Sequence, residues 1–150
     1  MATHTPISDS TLIAAAIDAM TRAYAPYSDF AVGAALLDEN GQIHCGANVE
    51  NAAYPNGICA ETSAIAMMVN AGGTHIERIA VAGGSEDGEI LCTPCGGCRQ
   101  RIREFAAPDT IIIIANPGGE QQRFTLADLL PHSFGPENLS YHHPIKRSAD

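Results

Sequence analysis

The 150-residue chain has an ordinary globular composition, with 45% hydrophobic residues and no Trp. A chain of this length can bury roughly two thirds of its unfolded surface without disulfides, so we expect one core. Its 17 acidic and 8 basic side chains give a net charge of −9, which would repel polyanions and argues against a nucleic-acid partner.

In chain order, hydrophobic periodicity first predicts an amphipathic helix over 8–24. Two strands, over 30–37 and 42–49, flank an Asp-Glu-Asn-Gly turn and form a predicted hairpin. Asn, Pro and Gly residues indicate a loop over 50–58, and a helix rich in Ala, Met and Ile follows over 59–69.

The second half of the chain alternates between short strands and helices. The elements predicted there are strands over 76–82, 90–92 and 110–115 and helices over 95–105 and 126–130. The polar residues from about 136 to 150 are expected to form a loosely ordered tail. Because there is no repeat or linker, we predict a single domain over 1–150.

Two cysteine motifs are the most informative feature of the chain. They are Cys59-Ala60-Glu61 and Pro94-Cys95-Gly96-Gly97-Cys98. Cys95 and Cys98 have the usual spacing of two metal ligands on one turn, and Cys59 comes from a separate helix. Three thiolates would leave one position of a Zn²⁺ ion open for water, whose pKa the metal lowers toward neutrality. Glu61 is then the candidate proton carrier.

Both motifs lie at predicted helix N-termini. Free backbone N–H groups and the positive end of the helix dipole favour thiolates there. We therefore expect one zinc ion per chain, held at two helix N-termini that offset part of the thiolate charge.

Several observations predict a cytoplasmic protein without membrane contact. No apolar run, including that at 111–115, approaches the roughly 20 residues of a membrane span. The N-terminus lacks the basic-then-apolar pattern of a signal peptide. An odd number of cysteines that includes a Cys-x-x-Cys motif favours metal binding or catalysis in a reducing compartment.

The chain resembles a cytidine deaminase of the small, homotetrameric, zinc-dependent type. Its cysteine motifs match the Cys-x-Glu and Pro-Cys-x-x-Cys signature of zinc deaminases. Segments 25–35, 48–54 and 130–137 are similar to the family's substrate-side, ribose-contacting and C-terminal segments. The resemblance covers nearly the whole chain. It implies an α/β fold of three αβα layers with a mixed five-stranded sheet, and a homotetramer with shared active sites.

The activity implied by the resemblance is hydrolysis of cytidine and 2′-deoxycytidine to uridine and 2′-deoxyuridine plus ammonia, in pyrimidine salvage. Activated water would attack C4, and Glu61 would carry protons to N3 and to the departing ammonia. Asn48 and Glu50 would bind the ribose hydroxyls and repel a 5′-phosphate, so a nucleoside is the expected substrate. Both nucleosides present the base and the 3′-hydroxyl, and no preference between them is predicted.

The resemblance implies further substrate contacts. Phe30 would pack against the nucleoside, and Ala60 would offer backbone hydrogen bonds to the base. Ala52 and Tyr54, in the ribose-contacting segment, are also assigned to substrate binding. Phe134 would stack on the pyrimidine in a neighbouring subunit's site.

One position departs from the family pattern. Thr62 stands where the family often has an Arg that hydrogen-bonds the zinc thiolates. We hypothesise that Arg99, next to Cys98, or the helix N-termini offset the thiolate charge instead.

Other interpretations remain open. Cys92 could close a four-thiolate zinc site with the other three cysteines, or join an iron–sulfur cluster, although Glu61 would then have no role. More simply, Cys45 and Cys92 are buried hydrophobes in strands. The functional alternatives are a deaminase of another cytosine-like compound, such as blasticidin S, and a non-enzymatic structural zinc or redox module.

Overall fold

The computed structural model describes residues 5–141 and is built on a mixed five-stranded sheet in the order β2-β1-β3-β4-β5. Its strands are β1 (Val32–Asp38), β2 (Ile43–Ala47), β3 (Ile76–Gly83), β4 (Ile111–Asn116) and β5 (Gly119–Thr125). Only β3 and β4 run parallel, and the other neighbours are antiparallel. The predicted mixed five-stranded sheet is confirmed.

Helices cover both faces of the sheet. They are α1 (Asp9–Met20), α2 (Ala60–Asn70), α3 (Gly96–Phe105) and α4 (Leu126–Leu129), with two 3-10 turns at Tyr54–Asn56 and Pro136–Leu139. One buried cluster joins α1 to the sheet, and the other joins α2, α3 and α4 to its opposite face. The three-layer αβα arrangement is therefore confirmed. Within residues 5–141, no helix has the length and apolarity needed to span a membrane.

Alternating side chains of the central strands fill the two clusters. On β1, Ala34 and Leu36 face α2, whereas Ala35 and Leu37 face α1. This period of two is what a strand covered on both faces requires, because successive side chains point to opposite sides. The apolar runs of β1, β3 and β4 thus position the helices that carry the cysteines.

Two strand predictions differ from the structure. The predicted strand over 90–92 is wrong: these residues form no strand, and the Ile90 side chain is 90% exposed. The fifth strand is instead β5, whose sequence Gly-Glu-Gln-Gln-Arg-Phe-Thr carries little hydrophobic alternation. As an edge strand it needs only one neighbour, β4, and the side chains of Glu120, Gln122 and Arg123 are exposed.

Element ends differ by smaller amounts. The first helix ends at Met20, because the backbone of Tyr24 then pairs with Asn48 and Glu50 rather than continuing the helix. Of the predicted loose tail, Pro136–Leu139 forms a 3-10 turn with Pro136 buried. Residues 142–150 lie outside the described part of the chain.

Gly46 on β2 allows the first turn of α2 to lie directly on the sheet. A Cβ atom there would come within 2.5 Å of the Ala60 carbonyl oxygen and 2.6 Å of the Ser63 Cβ. The Ser63 hydroxyl also donates a 3.1 Å hydrogen bond to the Ala47 carbonyl. The start of α2 is therefore fixed by contact with backbone and does not rest on flexible side chains.

We expect Gly46→Ala to lower the free energy of unfolding by about 1–3 kcal/mol, since the added methyl meets backbone that cannot move aside cheaply. Urea denaturation followed by circular dichroism measures the change. Gly57→Ala is the matched control, because a Cβ there finds no atom nearer than 3.5 Å. Equal stability of the two variants would contradict the close approach.

Candidate active site

Three cysteine sulfurs converge where α2 and α3 begin. Cys59 is the N-cap of α2, Cys95 is the N-cap of α3, and Cys98 lies in the first turn of α3. Their Sγ atoms all lie within 4.8 Å of one another, and Cys59 and Cys95 are 3.8 Å apart. A tetrahedral zinc ion with Zn–S bonds of about 2.3 Å places its sulfurs about 3.8 Å apart. The donor set therefore fits Zn²⁺.

The sulfur group is open on one side only. Cys98 is fully buried, whereas Cys59 and Cys95 line a cavity. Burial raises the pKa of Cys59. Burial acts in the same direction at Cys95, but hydrogen bonds from Cys98 and Cys59 outweigh it and lower the pKa of the Cys95 thiol. Of the two N-cap cysteines, the thiolate is therefore favoured at Cys95 and disfavoured at Cys59.

Glu61 lies in the first turn of α2 and contributes to the cavity wall. Its side chain is only 4% exposed, and burial raises the pKa of this carboxyl group. Burial thus favours the protonated form of Glu61 more than in an exposed carboxyl group, as suits a group that must hold and release a proton.

The cavity above the sulfurs has a volume of about 580 Å³, within the usual range for small-molecule sites. Five of the predicted substrate residues line it: Phe30, Asn48, Glu50, Tyr54 and Ala60. Ala52 and Phe134 are not among its lining residues. The described lining residues include two carboxylates, Glu50 and Glu61, and none of them is Lys, Arg or His.

Some residues of the cavity wall are not among those predicted from the sequence. The additional lining residues include Tyr27, Ser28, Val32 and Thr93. Tyr27 and Ser28 lie in the segment that carries the family resemblance, and this was the available signal. The rings of Tyr27 and Tyr54 meet edge to face with centroids 6.0 Å apart.

Asn48 and Glu50 hold the loop that carries Phe30. The Asn48 side-chain oxygen accepts from Val32 N–H at 2.8 Å, and its amide nitrogen donates to the Phe30 carbonyl at 2.9 Å. Glu50 Oε1 accepts from the backbone N–H groups of Tyr27 and Ser28 at 2.9 and 3.1 Å. Hydrogen bonds from Ser28 and Tyr27 lower the pKa of Glu50, so this carboxylate is ionised at neutral pH.

The hydrogen bonds of Arg99 go to oxygen atoms around the metal centre, and its role in offsetting the thiolate charge stays a hypothesis. Its guanidinium donates to the carbonyls of Pro94 and Leu129 at 2.7 and 2.8 Å and to the Thr93 hydroxyl at 3.3 Å. A side chain on a helix leans toward the N-terminus, where these loop carbonyls need donors. Thr62 is the closer neighbour of the sulfurs, because its hydroxyl lies 3.7 Å from Cys98 Sγ.

The two remaining cysteines have different surroundings. Cys45 lies on β2 and is half-buried beside the cluster that includes α1. Cys92 is in no strand, contrary to prediction. It lines the cavity, and burial together with the charge of Glu61 raises the pKa of its thiol to about 11. Among the described residues the metal-binding group contains three cysteines without Cys92, so no closed four-thiolate site is formed.

Comparison with known proteins indicates the same family as the sequence motifs. Residues 6–114 match the family described as the cytidine and deoxycytidylate deaminase zinc-binding region. The chain is 43% identical over 130 residues to a cytidine deaminase of Sporosarcina psychrophila, covering 87% of this chain and 93% of the relative. It is 40% identical to a cytidine deaminase of Halalkalibacterium halodurans, covering 86% and 96%.

A solved structure agrees in fold. The cytidine deaminase of Burkholderia pseudomallei superposes with a TM-score of 0.78 at 38% identity, covering 85% of this chain and all of the other. The family's zinc-binding description and the three converging sulfurs identify the cofactor as Zn²⁺. The chain therefore belongs to the cytidine and deoxycytidylate deaminase family.

Proposed function

We propose that the chain catalyses zinc-dependent hydrolysis of cytidine and 2′-deoxycytidine to uridine and 2′-deoxyuridine, with release of ammonia. The observation that carries this proposal is a buried carboxyl group, Glu61, beside three converging thiolates at the floor of a cavity of about 580 Å³. The curated relatives at 43% and 40% identity bear the name cytidine deaminase. No observation favours blasticidin S or a purely structural zinc module.

Each residue of the centre has a separate role. Cys59, Cys95 and Cys98 would hold the zinc ion, and the chemistry that zinc supplies when bound is activation of water near neutral pH. Glu61 accepts the proton of the attacking water on a carboxylate oxygen and delivers it to N3 of the pyrimidine. The same carboxyl group then transfers the second proton to the departing amino group, so that water and cytidine yield uridine and ammonia.

The cavity suits a nucleoside better than a nucleotide. Asn48 keeps a second amide hydrogen, and Glu50 keeps its Oε2, beyond the bonds they make to the loop. We assign these atoms to the ribose hydroxyls. A 5′-phosphate would meet the ionised Glu50 in a wall whose described residues offer no Lys, Arg or His. This favours nucleosides within a family whose description also includes deoxycytidylate.

The remaining substrate contacts follow from the cavity wall. Phe30, which is 48% exposed, packs against the bound nucleoside, and the backbone of Ala60 hydrogen-bonds the base. Tyr54 belongs to the wall on the ribose side. The proposal does not use Ala52, which lies outside the wall.

We further infer a homotetramer with shared active sites. Phe134 is 57% exposed and is not part of its own chain's cavity wall, so its ring is available to a neighbouring subunit. The setting we propose is pyrimidine salvage by a single-domain protein in the cytoplasm, where a reducing environment keeps the metal-binding thiols free.

Glu61→Gln should reduce deamination of cytidine by about 100- to 10,000-fold while zinc stays bound, since the amide cannot carry a proton. A spectrophotometric assay of cytidine, deoxycytidine, cytosine and blasticidin S, with metal analysis, measures both effects. Glu104→Gln, the same change at an exposed residue of α3, is the control. A wild-type protein that holds stoichiometric zinc and deaminates none of the four compounds would refute the proposed function.

Glu50 should also discriminate against phosphate. In the wild type we expect kcat/KM for cytidine 5′-monophosphate to be about 100-fold lower than for cytidine, because the ionised carboxylate repels the phosphate. Glu50→Gln should reduce the difference in kcat/KM between the two substrates, and it should also raise KM for cytidine. Steady-state kinetics with both substrates measure the ratio, and an unchanged ratio in the variant would argue against the assignment.

Thr62 should support the metal centre. Three thiolates on Zn²⁺ give a net charge of about −1, and the Thr62 hydroxyl donates a hydrogen bond to one of them. We expect Thr62→Val to weaken zinc binding about 10-fold and Thr62→Ser to preserve it. Competition with a chelator of known affinity measures the difference. Equal affinity of the two variants would exclude this role.

A further inference from the structure

Side chains of α3 hold the segment 129–137 at four points. Arg99 donates to the Leu129 carbonyl at 2.8 Å, and Gln100 donates to the Phe134 carbonyl at 2.9 Å. Arg103 donates from Nε to the Ser133 hydroxyl at 2.9 Å and from Nη2 to Glu137 Oε2 at 2.8 Å. The bonds to Ser133, Phe134 and Glu137 hold the chain immediately before, at and shortly after the peptide bond between Phe134 and Gly135.

The backbone around Phe134 is fixed, whereas its ring is exposed. Gly135 and Pro136 are buried, and the Gly135 N–H donates to the Asn138 side chain at 2.8 Å. The Phe134 side chain is nevertheless 57% exposed. An aromatic ring on an ordered backbone loses little conformational freedom when it docks, which is the property of a binding anchor.

The guanidinium of Arg103 packs against the backbone of Gly135. A Cβ atom at Gly135 would lie 2.6 Å from Arg103 Cζ and 2.6 Å from Glu137 Oε2. The guanidinium therefore lies over the bare glycine backbone, with only 15% of the Arg103 side chain exposed. A side chain at this position would displace the guanidinium, because the end of a long side chain is easier to move than the backbone.

We propose that Gln100 and Arg103 are positioning residues that orient Phe134 for insertion into the cavity of a neighbouring copy of the chain. The proposal rests on the proposed function, in which Phe134 completes the neighbour's nucleoside site. Helix α3 would then serve two sites at once. Its N-terminus carries Cys95 and Cys98 of its own metal centre, and its second and third turns orient the ring that its neighbour uses.

Subunit mixing tests this proposal. An acceptor chain, Phe134→Ala, keeps Glu61 but offers no ring, and its KM for cytidine should rise about 10-fold, as expected for loss of one aromatic stack on a base. A donor chain, Glu61→Gln, offers the ring but cannot catalyse deamination. In oligomers formed with about ten donors per acceptor, donated rings should return KM toward the wild-type value.

A second donor combines Glu61→Gln with Gln100→Ala and Arg103→Met, and it should fail to restore KM. The matched control donor combines Glu61→Gln with Arg101→Met, at an exposed residue of the same helix, and should restore it. Every donor is catalytically inactive, so the measured KM belongs to the acceptor's active site. Damage to the donor's own metal centre therefore does not contribute to the measured activity. Zinc content, melting temperature and oligomer size of each donor are measured alongside.

Adding Gly135→Ala to the Glu61→Gln donor is an independent test of the positioning role. The added methyl group displaces the Arg103 guanidinium while the sequence of α3 stays unchanged. We expect it to fail in the same way. Full restoration by the donor without Gln100 and Arg103 would overturn the positioning role, and failure of the simple Glu61→Gln donor would overturn the shared site. A wild type with no activity on cytidine would instead refute the proposed function, and the two failures are thereby distinguished.

Discussion

Helices α2 and α3 both begin at the group of three cysteine sulfurs, and the rest of the site depends on this constraint. Cys59 and Cys95 are both N-cap residues, so the first turns of α2 and α3 lie beside the sulfur group. The N–H groups of a first helical turn have no partner within the helix and favour thiolates nearby. Gly46 fixes one helix start against the sheet, and Arg99 fixes the other through the Pro94 carbonyl. Both helix starts are thus held by contacts outside the group of three sulfurs.

The sequence was sufficient to predict what short-range chemistry determines. The starts of α2 and α3 were predicted to within one residue, because cysteine spacing and helix periodicity coincide there. The strand β5 was missed, since a polar edge strand carries little periodic signal. The short apolar run over 90–92 predicts a strand, but these residues belong to the connection between β3 and α3, where Ile90 is exposed.

Side-chain partners were harder to predict than elements. Arg99 is adjacent to Cys98 in sequence, yet its guanidinium turns to carbonyls of the preceding loop and of Leu129. Thr62 is 36 residues away from Cys98 and nevertheless supplies the neighbouring hydroxyl. Sequence proximity on a helix fixes where a side chain starts, but its partner depends on which unsatisfied groups the surrounding loops bring within reach.

Asn48 holds the loop that carries Phe30, and the proposed ribose contact would couple ligand binding to the order of that loop. Its side chain already joins the Phe30 carbonyl to the Val32 N–H, and only one amide hydrogen is left for a sugar. Under the proposed function, ligand binding and local opening of this loop are linked equilibria, and a bound nucleoside is expected to slow amide exchange at Val32. A substitution at position 48 would therefore alter affinity and local rigidity together.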